Sequence, residues 1–296
     1  MSKGFTVIGV PVDSAGSAGG TELAPAALRD LGLGAAIGGH DGGDLAVRIR
    51  GEGRDPDTGV VGLEGVCATT AEVRSAVAAT LSRGERPFLL GGCCAIVPGA
   101  LSGVRDALGS ASLAHLDGHL DLYDGATSQL GEAADMPVTV ALGLGPQAWI
   151  DAAGGPSVSS SDVWIVGYRD REQSLSDGML MPEDFDPPIP CLTTDEVRSE
   201  GPGQVGRRVA QTLATGAGNI WVHLDLDIVD PSLFFANDAP VPDGLDWEEL
   251  TDLLEAVCAS PSLAGISLGC YNPEKDRNGE NGRRIVDMFR QALLVA

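Results

Sequence analysis

Short apolar runs alternate along the chain with stretches whose apolar positions recur every three or four residues, a pattern that reads as strand and helix in turn. Buried strands are predicted over 5–12, 87–90, 111–116, 163–167 and 263–268, with a further one opening the segment 221–231. Helices are predicted over 25–31, 70–83, 95–108, 204–215, 246–259 and 284–295. Val73, Val77 and Leu81 keep helical spacing, and Pro25 sits in a first turn, where its missing N–H does no harm. Asp246 with Glu249 three residues on has the form of a capping box.

Between these elements lie a Gly-rich loop at 15–20 and a Gly- and Asp-rich stretch, 38–62, read as loop with a short edge strand near 45–49. Segments 123–129, 173–190 and 234–244 also read as loops, and 138–144 is apolar. No Pro/Gly/Ser linker or repeat divides the chain. The expectation is one domain over 1–296, a three-layer α/β/α fold with a mostly parallel central sheet.

Composition adds that aromatic residues are only 4%, so the core must be built from Val, Leu, Ile and Ala. The formal charge of −23 excludes phosphate backbones and anionic membranes as partners, since no basic patch interrupts it. It favours cationic small molecules and divalent metals. Six cysteines are scattered without a framework spacing, and no apolar run approaches the ~20 residues of a membrane span, so a cytoplasmic protein with free thiols is expected.

Two strand ends carry candidate chemistry. In 115–121, Asp117, His119 and Asp121 occupy alternate positions and would point one way from an extended chain, as converging ligands for a divalent cation must. The segment 221–231 repeats the pattern with Asp225 and Asp227. One Asp-x-Asp at a strand end is ordinary turn chemistry; two such ends in one sheet, one bearing a histidine, point to a shared metal site. Cys93 and Cys94 follow Gly91-Gly92 at a strand-to-helix turn, where a cysteine serves as thiolate ligand, nucleophile or small buried hydrophobe. Glu132 and Asp135 read as a general base or cation holder, or as a solvated loop end or helix cap. A cysteine hydrolase would need a base paired with Cys93 or Cys94, and neither His40, His115 nor His223 is evidently placed for that; all three read as loop or strand packing.

These features together resemble the ureohydrolase family, the arginases and agmatinases, over most of the chain. The resemblance is carried by 9–31, Asp41-Gly42-Gly43-Asp44, Gly91-Gly92, Asp117-Gly118-His119-Leu120-Asp121, Asp225-Leu226-Asp227-Ile228-Val229-Asp230-Pro231 and 240–244. It implies an arginase-like fold and a two-manganese centre that hydrolyses guanidino or amidino C–N bonds through a hydroxide shared by the metals. By position it makes Asp117 and Asp225 bridging ligands, puts Asp121 and Cys94 on one metal, and leaves His119 and Asp227 on the other. It also implies assembly of like chains.

Several positions depart from the family. Cys94 stands where the family has a ligand histidine, which admits Zn²⁺ or Fe²⁺ beside Mn²⁺. Ala134 stands at the proton-shuttle histidine, leaving Glu132, Asp135 or solvent to move protons. Cys270 takes the place of the glutamate that holds the guanidinium, and Ala239 that of a nearby threonine. Glu172 matches a carboxylate that contacts a substrate amine. A cysteine ligand without a shuttle resembles the hydroxyarginine-hydrolysing branch. The reading is a metallohydrolase for a guanidino or amidino compound, such as a hydroxyguanidine; the alternative is a non-catalytic metal- or ligand-binding member of the same fold.

Overall fold

The computed structural model describes residues 4–16, 19–51 and 53–294. Positions 17 and 18 of the expected Gly-rich loop and Val295 of the expected last helix lie outside these. The strands are β1 (Phe5–Val10), β2 (His40–Asp44), β3 (Arg86–Gly91), β4 (Ser112–Leu116), β5 (Val163–Tyr168), β6 (Cys191–Thr193), β7 (Ile220–Asp225) and β8 (Leu263–Gly269). They form one sheet in the order β2-β1-β3-β8-β7-β4-β5-β6. Every pairing between them is parallel.

Strand alternation sorts the core onto the two sheet faces. Ala114 and Leu116 of β4 face one way and join Val205, Val209, Leu250, Leu254, Ile285 and Phe289, from the helices Pro202–Thr215, Trp247–Cys258 and Glu280–Leu294. Leu113 faces the other way and joins Val73, Val77, Ala100 and Val104, from Leu63–Ser82 and Val97–Leu108. The result is a sheet between two helical layers, the three-layer α/β/α arrangement expected, with an all-parallel sheet. No helix among the described residues is long and apolar enough to cross a membrane.

The strand differences from the sequence reading fall at the sheet edges, while the helix expected over 70–83 begins earlier, at Leu63. The first edge strand is His40–Asp44 rather than 45–49, and all five of its residues are exposed. Its Gly and Asp content gives no strand signal, and backbone pairing with β1 alone defines it. Within the expected loop 173–190 lie most of the helix Arg171–Asp177 and a 3-10 turn, Pro182–Asp184. That helix buries only Ser174, so it shows no apolar stripe. The three-residue β6 and the helix Thr194–Glu200 were not anticipated either. The apolar 138–144 is largely a short helix, Pro137–Ala141.

Candidate metal centre

The four central strands β3, β8, β7 and β4 bring their carboxyl ends together, where α/β sheets gather ligands. His115 pairs with His223 and Leu116 with Leu224, so the same-face residues two steps on, Asp117 and Asp225, leave adjacent strands side by side. After β7 the chain enters the 3-10 turn Leu226–Ile228, with the Asp225 carboxylate accepting from Asp227 N at 2.8 Å. That turn delivers Asp227 to the site. After β4, His119 N donates to Asp117 Oδ1 at 2.7 Å, and Asp121 takes a left-handed φ of 54°.

Two glycines make the turns fit. A Cβ on Gly92 would lie 1.6 Å from Val12 O, so only glycine lets the chain swing from β3 into Cys93 and Cys94. Gly118 N donates to Asp227 Oδ1 at 2.9 Å, and a Cβ there would stand 2.6 Å from that oxygen.

Three overlapping donor clusters result: Cys94, Asp117, His223 and Asp225; His115, Asp117 and Asp121; and Asp117, His119 and Asp227. Asp117 belongs to all three. Cys94 Sγ lies 2.7 Å from Asp225 Oδ2 and 3.8 Å from Cys270 Sγ. His119 Nδ1 lies 2.9 Å from Asp227 Oδ2, and His115 Nε2 lies 3.1 Å from Asp117 Oδ2 and 3.2 Å from Asp121 Oδ2.

The electrostatics are those of a site short of positive charge. Burial, with Asp227 and Asp117 beside it, pushes the Asp225 carboxyl well up. Burial and Asp117 push Asp121 up to about 8. Burial also raises Asp227, against the pull of His119. Asp117 feels the same burial, yet His115 and His119 hold it well below the usual carboxylate range. Burial lowers both of those imidazoles, but the carboxylates outweigh it and lift His115 to about 10 and His119 well above its ordinary value. Cys270, burial and Asp225 push the Cys94 thiol up. Oxygen, nitrogen and thiol donors crowded this closely fit divalent cations, which would displace the protons the site must otherwise hold. Among the described residues Asp121 Oδ2 is buried without a hydrogen-bond partner, which fits an oxygen able to ligate a cation.

Above the donors is a cavity of about 360 Å³. Seven carboxylates line it, Asp13, Asp121, Glu132, Asp135, Asp225, Asp227 and Asp238, and among the described residues no Lys or Arg does. Such a wall selects a cation. Ser14 Oγ donates to Glu132 Oε2 at 3.2 Å, and Ser128 Oγ donates to Asp135. Burial raises both carboxyls, with the charge of Asp135 adding to the effect on Glu132. A larger concavity, about 660 Å³, lies along Arg48, Arg50, Arg54 and Glu64 and holds none of the donor clusters found among the described residues.

Cys94, Asp117, His119, Asp121, Asp225 and Asp227 are thus brought together, and Glu132, Asp135 and Cys270 line the cavity over them. Glu172 is exposed in the first turn of Arg171–Asp177 and is not among the lining residues. Burial pushes the Cys93 thiol up to about 12, which leaves it protonated and poorly nucleophilic. Sequence reasoning missed His115, His223, Asp13 and Asp238. The available signal for the histidines was His-Leu-Asp, which occurs at 115–117 and again at 223–225; Asp13 and Asp238 stand alone in their loops and gave none.

Known proteins resemble this chain over nearly its whole length. An arginase from Brevibacillus brevis is 26% identical over 98% of this chain and 97% of its own length. One from Bacillus subtilis is 25% identical over 99% and 98%. The solved structure of Bacillus caldovelox arginase superposes with a TM-score of 0.87 at 24% identity, covering 99% of this chain and 98% of that one. A sequence model of the arginase family matches residues 3–295, and with a match of that extent the chain belongs to the arginase family.

Proposed function

We propose that the protein hydrolyses a C–N bond of a cationic guanidino or amidino compound at a pair of divalent metal ions, manganese in the first instance. The observation that carries this is the cavity itself: seven carboxylates and, among the described residues, no Lys or Arg, over three donor clusters that share Asp117. Asp117, His119, Asp121, Asp225, Asp227 and Cys94 would hold the ions. When bound, the ions would activate water at neutral pH and stabilise the negative charge that develops as it adds to the substrate. The sulfur of Cys94 leaves room for Zn²⁺ or Fe²⁺ in the same place.

The chain's own residues supply the rest. The carboxylate wall orients the cation. Glu132 and Asp135, whose carboxyls burial raises, line the cavity and are the groups placed to pass a proton to a departing amine. Ala134, Ala239 and Cys270, where the family resemblance places a shuttle histidine, a threonine and a glutamate, all line this cavity. Their small or neutral side chains favour a modified substrate, such as a hydroxyguanidine, whose leaving group needs less protonation. The same three residues are what favours the second reading, a member that binds metal and ligand without turnover.

A screen of metal-loaded protein against free, decarboxylated and N-hydroxylated guanidino amino acids, following urea-type products, separates the two. Release from at least one substrate is expected. Two metals per chain with no product from any would establish the binding-only reading. Glu132→Gln is expected to lower kcat about 10²- to 10⁴-fold at unchanged metal content.

A further inference from the structure

Beneath the expected ligands lies a pair of histidines that packing alone does not explain. His115 and His223 face each other across β4 and β7, stacked with ring centroids 5.3 Å apart and planes 17° apart, and both are fully buried. They stand on the sheet face that carries Asp117 and Asp225, two residues earlier on each strand. Imidazoles buried for packing alone should have hydrogen-bond partners for their nitrogens. Yet among the described residues neither nitrogen of His115 has one, nor does Nε2 of His223.

His115 Nε2 stands 3.1 and 3.2 Å from oxygens of Asp117 and Asp121 without the alignment of a hydrogen bond to either. Adjacent donors on an octahedral ion with bonds of about 2.1 Å are themselves about 3 Å apart. His223 is anchored differently. Its Nδ1 lies 2.8 Å from Ser267 Oγ, which also accepts from Trp221 Nε1 at 2.8 Å. That hydroxyl has a second lone pair able to accept an Nδ1 proton, and in that tautomer the Nε2 lone pair is free, as in metal-bound histidines generally. His223 also clusters within 4.8 Å of the donor atoms of Cys94, Asp117 and Asp225.

We propose that His115 and His223 are ligands of the metal pair, His115 joining Asp117 and Asp121, and His223 joining Cys94 and Asp225. The half of the site around Cys94 then draws its nitrogen donors from the sheet beneath. The assignment rests on the site holding metal, as in the proposed function, but not on turnover.

Cobalt(II) serves as probe. Wild type, His115→Ala and His223→Ala are loaded with Co²⁺, bound metal is counted by elemental analysis and titration, and the imidazole rings on cobalt are counted by X-ray absorption fine structure. Thermal unfolding checks that each variant is folded. Wild type is expected to show imidazole in excess of the single ring His119 can supply. Each variant is expected to lose ring scattering and to bind one of its two ions at least about tenfold more weakly. The wild-type ring count stands even if a variant fails to fold. One ring per metal pair, or unchanged binding in both variants, would overturn the assignment and leave the hydrolase reading intact. Tighter binding by His115→Ala would also overturn it, marking that imidazole as a protonated stand-in for a cation. Wild type without cobalt would overturn both readings.

Discussion

Gly118 shows how little tolerance the centre has at the scale of one residue. Its N–H holds Asp227 in place, and a methyl group would meet the same carboxylate at 2.6 Å. Gly118→Ala is therefore expected to displace Asp227, lower metal affinity at least about tenfold and destabilise the fold by about 1–3 kcal/mol, read by metal titration and urea unfolding. Cys94 makes the opposite kind of demand, on the identity of the ion. Cys94→Ser should weaken Zn²⁺ or Cd²⁺ binding at least about tenfold more than Mn²⁺ binding, because the softer ions gain most from sulfur. Equal losses for all three would show that the thiol does not reach the ion. The carboxylates of the site were legible because alternate positions at a strand end announce convergence. His115 and His223 were legible only through the repeated His-Leu-Asp, since a histidine inside an apolar strand otherwise looks the same whether it packs or ligates; the register between β4 and β7 is what stacks the pair.

At the scale of elements, legibility followed burial. The central strands and the helices that cover them carry long apolar patterns, and their positions follow from those patterns. The edges do not: β2 is wholly exposed and β6 spans three residues, so neither leaves a periodic trace. Where local chemistry is strong, even an end can be read. Asp246 accepts from Glu248 N and Glu249 N at 2.9 and 2.8 Å, and Glu249 Oε2 accepts from Asp246 N, the reciprocal cap its spacing predicts. Asp246→Ala is expected to cost about 1 kcal/mol in urea unfolding and leave metal content unchanged. Thr193 and Glu196 form the same box, at the same spacing, at the start of Thr194–Glu200.

Across the whole molecule, the site ties folding to pH. Asp121 has an ordinary value of 3.8 and is raised to about 8 in the folded, metal-free chain. The folded state therefore holds a proton that the unfolded state has lost over that interval, and stability falls as pH rises through it. His115, raised from 6.5 to about 10, extends the decline in the same direction. Metal must displace these protons, so affinity should rise with pH while the unfolding midpoint of chelator-treated protein drops; a midpoint that climbs between pH 5 and about 8 would contradict this. The order of the strands has a further consequence. β7 and β8 come last in the chain but lie between β3 and β4, so a polypeptide still being synthesised, with β1 to β6 complete, has only two separate triplets, each with an open inner edge. No cation can be captured in full at that stage, because Asp225 and Asp227 have yet to emerge. Until the final third of the chain leaves the ribosome, the nascent protein presents two bare strand edges in place of its centre, which makes this interval its point of greatest exposure to misassembly.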